Sequence, residues 1–136
     1  MGEHSDKVTE LRLVVTASDY DDALRLYRDV LGLKEQASYS AAGGHVTILE
    51  AGHATIEIND PAYAAYVDDV EVGRRVAGHV RVAFGVNDTE SVTATLVDAG
   101  AGLIARPVRT PWGSLNSRLD GPAGLQLTLF SGDSGD

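Results

Sequence analysis

The sequence predicts an α+β fold built from two tandem βαβββ modules in one domain of 136 residues. Three observations favour this fold: an internal repeat without gaps, a helix-capping pair at the end of each repeat, and three short strand-like segments after each helix. The modules are expected to form a curved mixed sheet with the helices on its outside.

The repeat relates residues 11–19 to residues 80–88. The first copy reads LRLVVTASD and the second reads VRVAFGVND. Both are strand-like up to their last two residues, Ser18-Asp19 and Asn87-Asp88, whose side-chain oxygens can accept hydrogen bonds from the free N–H groups of a helix start. Each copy therefore predicts a strand followed directly by a helix.

Apolar residues at helical spacing follow each capping pair. They are Ala23, Leu26, Tyr27 and Val30 before Gly32 in the first module, and Val92, Leu96 and Ala99 before Gly100 in the second. The strand-like segments after each helix cover about 35–41, 45–50 and 53–59, and then about 103–109, 114–119 and 125–130. Each helix is thus followed by three strands.

These segments place the domain at 9–131, with module 1 at about 9–60 and module 2 at about 78–131. Residues 61–77 show no strand alternation and are interpreted as a linker or flap. Tyr63 and Tyr66, three positions apart, leave a helical turn docked on the sheet as an alternative. The polar ends, 1–8 and 132–136, are expected to be flexible tails.

The composition limits the classes of partner. A net charge of −9 repels phosphate backbones and anionic membranes, so neither nucleic acid nor a membrane is expected as a partner. The absence of cysteine rules out thiol chemistry and suits a cytoplasmic location. The sequence also contains no phosphate-binding loop, dinucleotide fingerprint or nucleophilic-serine turn. A small-molecule ligand is the expected partner.

Strand alternation separates the residues under the helices from those on the open face of the sheet. Leu13, Val15, Ala17, Val82, Phe84 and Val86 are predicted to lie under the helices, as are Ile56, Ile58, Leu127 and Leu129. The open face is predicted to hold Arg12, Val14, Arg81, Ala83, Glu57, Asn59, Thr128 and Phe130. A curved face with this mixture of apolar and charged groups is suited to wrapping a ligand.

Aromatic residues are predicted to complete the site. Trp112, the single tryptophan, lies between Pro111 and Gly113 in a segment that leads to the open face. With Tyr39, Tyr63 and Tyr66 it would form an aromatic wall that stacks on a flat, hydrophobic ligand. The alternative is that Trp112 packs a turn and the tyrosines fill a dimer contact or the linker.

Several ordered segments resemble the vicinal oxygen chelate superfamily. They are the stretch from Ser18-Asp19 to Leu33, its second-half counterpart, Thr110-Pro111-Trp112-Gly113, and Asp120-Gly121-Pro122-Ala123-Gly124. The resemblance covers about residues 10–130. The superfamily includes glyoxalase I, extradiol dioxygenases, fosfomycin-resistance enzymes and bleomycin-resistance proteins.

The resemblance implies a divalent metal held by residues on the first and last strands of each module. Those positions hold Arg12, Glu57, Arg81 and Thr128 here. Arginine has no lone pair to donate, and two guanidinium groups repel a cation. We therefore expect no metal and no other cofactor, as in the metal-free branch of the superfamily, whose members sequester antibiotics in clefts commonly built at a dimer interface.

The expected function is non-catalytic binding of a small aromatic or hydrophobic natural product or antibiotic by a homodimer. The predicted ligand-binding residues are Arg12, Val14, Tyr39, His45, Glu57, Asn59, Tyr63, Tyr66, Arg81, Ala83, Trp112, Thr128 and Phe130. The alternative is a glyoxalase-, lyase- or dioxygenase-like enzyme with a displaced metal held by His45, Glu57 and His79. In that alternative His45 lies across from Glu57, provided that Glu50-Ala51-Gly52 forms the loop between their strands.

Two roles remain open for the arginines. Arg12 and Arg81 could clamp an anionic or planar ligand from the two modules. Alternatively, Glu57 pairs with one or both of them in a structural salt bridge.

Overall fold

The computed structural model describes residues 8–132 of the chain. The strands are β1 (Val8–Thr16), β2 (Lys34–Ala41), β3 (Gly44–Ala51), β4 (Ala54–Asn59), β5 (Val80–Val86), β6 (Gly102–Arg109), β7 (Ser114–Asp120) and β8 (Gln126–Gly132). The α-helices within this range are α1 (Tyr20–Leu24), α2 (Pro61–Glu71) and α3 (Thr89–Asp98). A π-helical segment, Arg25–Val30, continues α1, and a 3-10 turn covers Pro122–Gly124.

The strands form one eight-stranded mixed sheet in the order β2-β3-β4-β1-β5-β8-β7-β6. β1 and β5 join the two modules by antiparallel pairing, with Leu13 opposite Val82. Each of them also pairs in parallel with the last strand of its own module, β4 or β8. The predicted α+β fold with a mixed sheet is therefore confirmed, and the modules pair within one chain. The homodimer stays a prediction.

The helices α1 and α3 cover one face of the sheet. Leu24, Leu49 and Ile58 form one buried cluster with Val15 and Ala17 packed against it. The equivalent cluster in module 2 contains Val86, Leu119 and Leu129, packed by Phe84, Val92, Leu96, Ala101 and Leu127. The predicted assignment of strand residues to the helix-covered face is correct at these positions.

Both predicted caps are present. The Asp19 carboxylate accepts a hydrogen bond from the Asp22 backbone N–H at 3.1 Å, and Asp88 accepts one from Ser91 at 3.2 Å. These bonds satisfy N–H groups that a helix start leaves free.

The first helix differs from its prediction. After Leu24 the chain widens into π-helical turns, and the Leu31 N–H bonds the Leu26 carbonyl at 2.8 Å. The wider turn changes the spacing of the side chains around the helix. As a result, Leu26 is 45% exposed and Val30 is 65% exposed, instead of facing the core.

Residues 61–77, interpreted from the sequence as a linker or flap, contain the 11-residue helix α2. The Asp60 carboxylate caps it by accepting from the Tyr63 N–H at 2.9 Å and also binds the His45 N–H at 3.0 Å. Tyr63 and Val67 pack on Val46 of β3, on the face of the sheet opposite α1. The open face of the sheet is therefore partly covered by a helix of the same chain.

Gly44 permits the close approach of α2 to β3. A Cβ atom at this position would overlap the backbone of Ala62 and Tyr63. Only glycine fits between these backbones without a shift of one of them.

The predicted flexible tails lie outside the described residues, except for Val8 and Gly132, which are the outer ends of β1 and β8. Within residues 8–132, none of the helices has the length and apolar character needed to cross a membrane.

Candidate ligand-binding site

A cavity of about 760 Å³ lies between the open face of the sheet and α2. Its floor comes from the central strands and includes Arg12, Glu57, Arg81, Ala83, Thr128 and Phe130. Tyr63, Tyr66 and Val67 of α2 form one wall, and Trp112 from the β6–β7 turn and Tyr39 of β2 complete the lining. The volume lies within the range of about 300–1,000 Å³ that is usual for small-molecule sites.

Three predicted site residues lie elsewhere. Val14 and Asn59 are buried beneath α2, where they border a small void with Ala64 and one edge of Arg81. They face the correct side of the sheet, but α2 separates them from the cavity. His45 lies in a surface depression with Tyr20 and Asp60.

The expected position of His45 across from Glu57 is wrong. The β3–β4 hairpin turns at Gly52 and His53, so Glu57 pairs with Ile48. His45 Nδ1 bonds the Ser40 hydroxyl at 2.8 Å, and its ring lies 6.0 Å from that of Tyr20 on the helix-covered side. Because alternation places His45 on the opposite face from Glu57, the displaced metal site does not assemble.

Arg12 is held by two carboxylates and an aromatic ring. Its Nε donates to Glu10 at 2.9 Å and its Nη1 donates to Glu57 at 3.4 Å. The guanidinium carbon lies 4.9 Å from the centre of the Phe130 ring, in cation–π geometry. Burial disfavours the charged form, but the bonds and charges of Glu10 and Glu57 outweigh it and raise the pKa of Arg12. Of the two roles left open for the arginines, the salt bridge with Glu57 is thus present at Arg12.

Arg81 occupies the equivalent position in module 2 but has different surroundings. It is 6% exposed, and its Nη1 donates to the Thr128 hydroxyl at 2.7 Å. Among the described residues, no carboxylate lies within salt-bridge distance of this guanidinium. Burial lowers the pKa of Arg81, although a guanidinium stays protonated in proteins.

A buried ionic network, which the sequence analysis missed, anchors α2 to the sheet. Arg118 of β7 is fully buried and donates to Asp68 at 2.8 Å and to Glu71 at 2.7 Å. Asn116 also donates to Glu71, at 2.7 Å. The available signal was strand parity, because Asn116 and Arg118 share the face of β7 that points toward the cavity.

The aromatic residues form a connected wall. The Tyr63 and Tyr66 rings lie 5.5 Å apart, and Tyr66 lies 6.1 Å from Trp112. Burial, followed by the charge of Glu57, raises the pKa of Tyr63 to about 12, so its hydroxyl stays a neutral hydrogen-bond donor. Trp112 is 44% exposed, which leaves part of its ring surface free for a ligand.

Asp68 is expected to stay ionised at unusually low pH. Burial favours its neutral form, but bonds from the Ala77 backbone, Arg118, the Val76 backbone and Arg75 outweigh it and lower its pKa below the ordinary 3.8. The stability from these bonds is complete above the unfolded-state pKa and is lost as the pH falls through the folded-state pKa. Carboxyl-carbon NMR of the folded protein is expected to give a titration midpoint below 3.8. A midpoint at or above that value would contradict the prediction.

Residues 11–129 match the Glyoxalase/Bleomycin resistance protein/Dioxygenase superfamily. The chain therefore belongs to this superfamily, as the resemblance to vicinal oxygen chelate proteins predicted.

Solved structures with the same fold include enzymes and a hypothetical protein. Methylmalonyl-CoA epimerase from Mycobacterium tuberculosis has 19% identity and a TM-score of 0.70, with 99% of this chain and 97% of that chain covered. A methylmalonyl-CoA epimerase in complex with methylmalonyl-CoA and NH4⁺ has 19% identity, a TM-score of 0.68 and coverage of 96% and 97%. A hypothetical protein from Bacillus halodurans C-125 has 21% identity, a TM-score of 0.66 and coverage of 94% and 95%. No curated protein matches the chain.

The metal implied by the superfamily does not fit the residues at its expected positions. Arg12 and Arg81 cannot coordinate a cation, and Thr128 already accepts a hydrogen bond from Arg81. Glu57 is the remaining donor and is bonded to Arg12. In the part of the chain that the structure describes, no group of three or more His, Asp or Glu side chains is arranged to hold an ion.

Proposed function

We propose that this protein binds and sequesters a small aromatic or hydrophobic organic molecule, such as a natural product or antibiotic, without catalysing a reaction on it. The observation that carries the proposal is a cavity walled by connected aromatic rings in which the family's metal positions hold two arginines and a threonine. A cytoplasmic homodimer belongs to the same proposal.

The wall geometry supports an aromatic or flat ligand. Tyr66 of α2 and Trp112 of the β6–β7 turn lie 6.1 Å apart in this wall, at an interplanar angle of 53°. A flat molecule placed against them can stack on one ring and meet the edge of the other. Such ring pairs contribute about 0.5–1.5 kcal/mol each beyond the burial of apolar area.

The metal-dependent enzyme considered as the alternative has less support. It requires His45, Glu57 and His79 to converge, but His45 lies on the opposite face of the sheet and His79 is exposed. Metal analysis of protein purified without chelator separates the two functions. A stoichiometric transition metal would overturn the binding proposal in favour of the enzyme.

Titration of Trp112 fluorescence with bleomycin-type, enediyne-type and other aromatic antibiotics tests the proposal. We expect at least one class to change the emission, because the only tryptophan of the chain lines the cavity. Replacing Tyr66 with leucine is expected to weaken that binding by about 2- to 10-fold through the loss of one ring contact.

Tyr27→Leu is the matched control, because Tyr27 is a partly exposed tyrosine on the π-helical segment and does not line the cavity. The affinity of the Tyr27→Leu variant for the same antibiotic should equal that of the unmodified protein. The absence of any fluorescence change, together with no protection of cells that express the protein, would refute the proposed function.

A further inference from the structure

Arg12 and Arg81, on the floor of the cavity, occupy equivalent positions in the internal repeat but differ in the groups that are bonded to them. Arg12 is held by Glu10 and Glu57, both within salt-bridge distance. Arg81 has the Thr128 hydroxyl as its hydrogen-bond partner, so no carboxylate bonds it directly. The charges of Glu71, Glu57 and Asp68 act on it from a longer distance. Arg81 is also the more buried of the two.

The two carboxylates whose charges act most strongly on Arg81, Glu71 and Glu57, are bonded to other groups. One Glu71 oxygen accepts from Arg118 at 2.7 Å, and the other accepts from Asn116 at 2.7 Å. Glu57 is bonded to Arg12. Burying a charge without a direct partner is unfavourable. A ligand whose anionic group bonds Arg81 would supply that partner and would therefore bind favourably.

The remaining N–H groups of Arg81 have no hydrogen-bond acceptor among the described residues. Among the described residues, Asn59 Oδ1 is the single fully buried side-chain polar atom without a hydrogen-bond partner. The Arg81 nitrogens that lack a protein acceptor are therefore not sealed in the interior. They border the cavity and the small void beneath α2.

The charges on the floor favour one anionic group. Glu57 and Arg81 pair with Val14 from its two sides, so their backbones lie about 10 Å apart at the usual strand spacing. A second anionic group on the other side of Val14 would meet the Glu57 carboxylate and be repelled.

We propose that the ligand is an aromatic molecule with a single oxyanion, such as a carboxylate or sulfonate, which binds Arg81 while its rings lie against Tyr66 and Trp112. This inference rests on the proposed binding function and adds the charge class of the ligand. Guanidinium–oxyanion hydrogen bonds are strong and directional, which suits Arg81 to this role.

Two dyes that differ by one sulfonate test the inference. 1-Anilinonaphthalene-8-sulfonate is the anionic probe, and N-phenyl-1-naphthylamine has the same ring system without the sulfonate. Energy transfer from Trp112 to either dye reports binding near the cavity. The sulfonate dye is expected to bind about tenfold or more tightly than the neutral dye.

Arg81→Met is expected to remove this difference by weakening the binding of the sulfonate dye about tenfold or more. Arg25→Met is the matched control, because it also removes one positive charge but Arg25 is exposed, pairs with Asp22 and does not line the cavity. It should keep the preference for the sulfonate. Thermal unfolding verifies that both variants are folded. If Arg81→Met fails to fold, Arg81→Lys, which keeps the charge but lacks the planar guanidinium, is expected to reduce the preference for the sulfonate several-fold. An unchanged preference in that variant would overturn the assignment to Arg81.

The outcomes separate the two proposals. Equal affinity for both dyes overturns the oxyanion inference and leaves the binding function in place. A sulfonate preference that survives Arg81→Met, or that Arg25→Met abolishes, also overturns the assignment to Arg81. Failure of both dyes to bind, together with failure of every antibiotic in the titration above, overturns the binding function itself.

Discussion

Replacing Arg118 with methionine is expected to lower the free energy of unfolding by about 3–5 kcal/mol. The substitution keeps much of the side-chain volume but leaves Asp68 and Glu71 buried without their shared cation, at 1% and 3% exposure. Because both carboxylates belong to α2, the helix should also loosen and the cavity should lose its wall. Urea unfolding measures the first effect, and loss of dye binding measures the second.

Arg75→Met is the matched control. Arg75 also binds Asp68, at 2.7 Å, but its side chain is 47% exposed, whereas that of Arg118 is fully buried. Solvent screens the exposed guanidinium of Arg75, and Arg118 still neutralises the buried Asp68, so the loss of Arg75 should cost no more than about 1 kcal/mol. Similar effects from the two substitutions would show that the buried network contributes nothing specific.

Replacing Gly44 with alanine is expected to destabilise the protein by about 1–3 kcal/mol and to weaken ligand binding. The new methyl group would overlap the backbone of Ala62 and Tyr63. A backbone cannot rotate away as a side chain can, so α2 must move off β3. Urea unfolding and the affinity for N-phenyl-1-naphthylamine report the two effects.

Gly78→Ala serves as the comparison, because a Cβ atom at Gly78 has nothing within 4 Å and Gly78 lacks a positive φ. It should change the stability by less than about 0.5 kcal/mol. If Gly44→Ala proves equally mild, α2 tolerates displacement, and the close approach to β3 does not fix the cavity wall.

The sheet and most of the cavity floor were predictable because strand alternation is a local property. Once residues 11–19 and 80–88 were recognised as equivalent strands, parity placed Arg12, Arg81 and Ala83 on the open face. The same rule placed Glu57, Thr128 and Phe130 there, and all of these residues line the cavity. No information about distant contacts was needed.

The helix α2 was not recognised because acidic residues occupy part of its buried face. Its buried residues are Tyr63, Ala64, Val67, Asp68 and Glu71, a helical spacing that includes two carboxylates. Asp and Glu at such positions indicate a solvent-exposed face unless a buried cationic partner is known. That partner, Arg118, lies on a strand about fifty residues further along the chain, and nothing local to α2 indicates it.

The position of His45 depended on a turn. His45 lies on the same face as Glu57 only if the β3–β4 hairpin turns at Glu50-Ala51-Gly52. The hairpin instead turns at Gly52-His53, and Gly52 has a φ of 70° there. Moving a turn changes the pairing along both strands, and alternation then places side chains on the other face. An error in the position of a hairpin turn therefore places site residues on the wrong face of the sheet.

The antiparallel pairing of β1 with β5 has a consequence for how the cavity is built. It joins the two modules edge to edge, so Arg12 and Glu57 of module 1 lie on the same continuous sheet surface as Arg81 and Thr128 of module 2. The two halves of the cavity floor are therefore held in register by backbone hydrogen bonds between the modules.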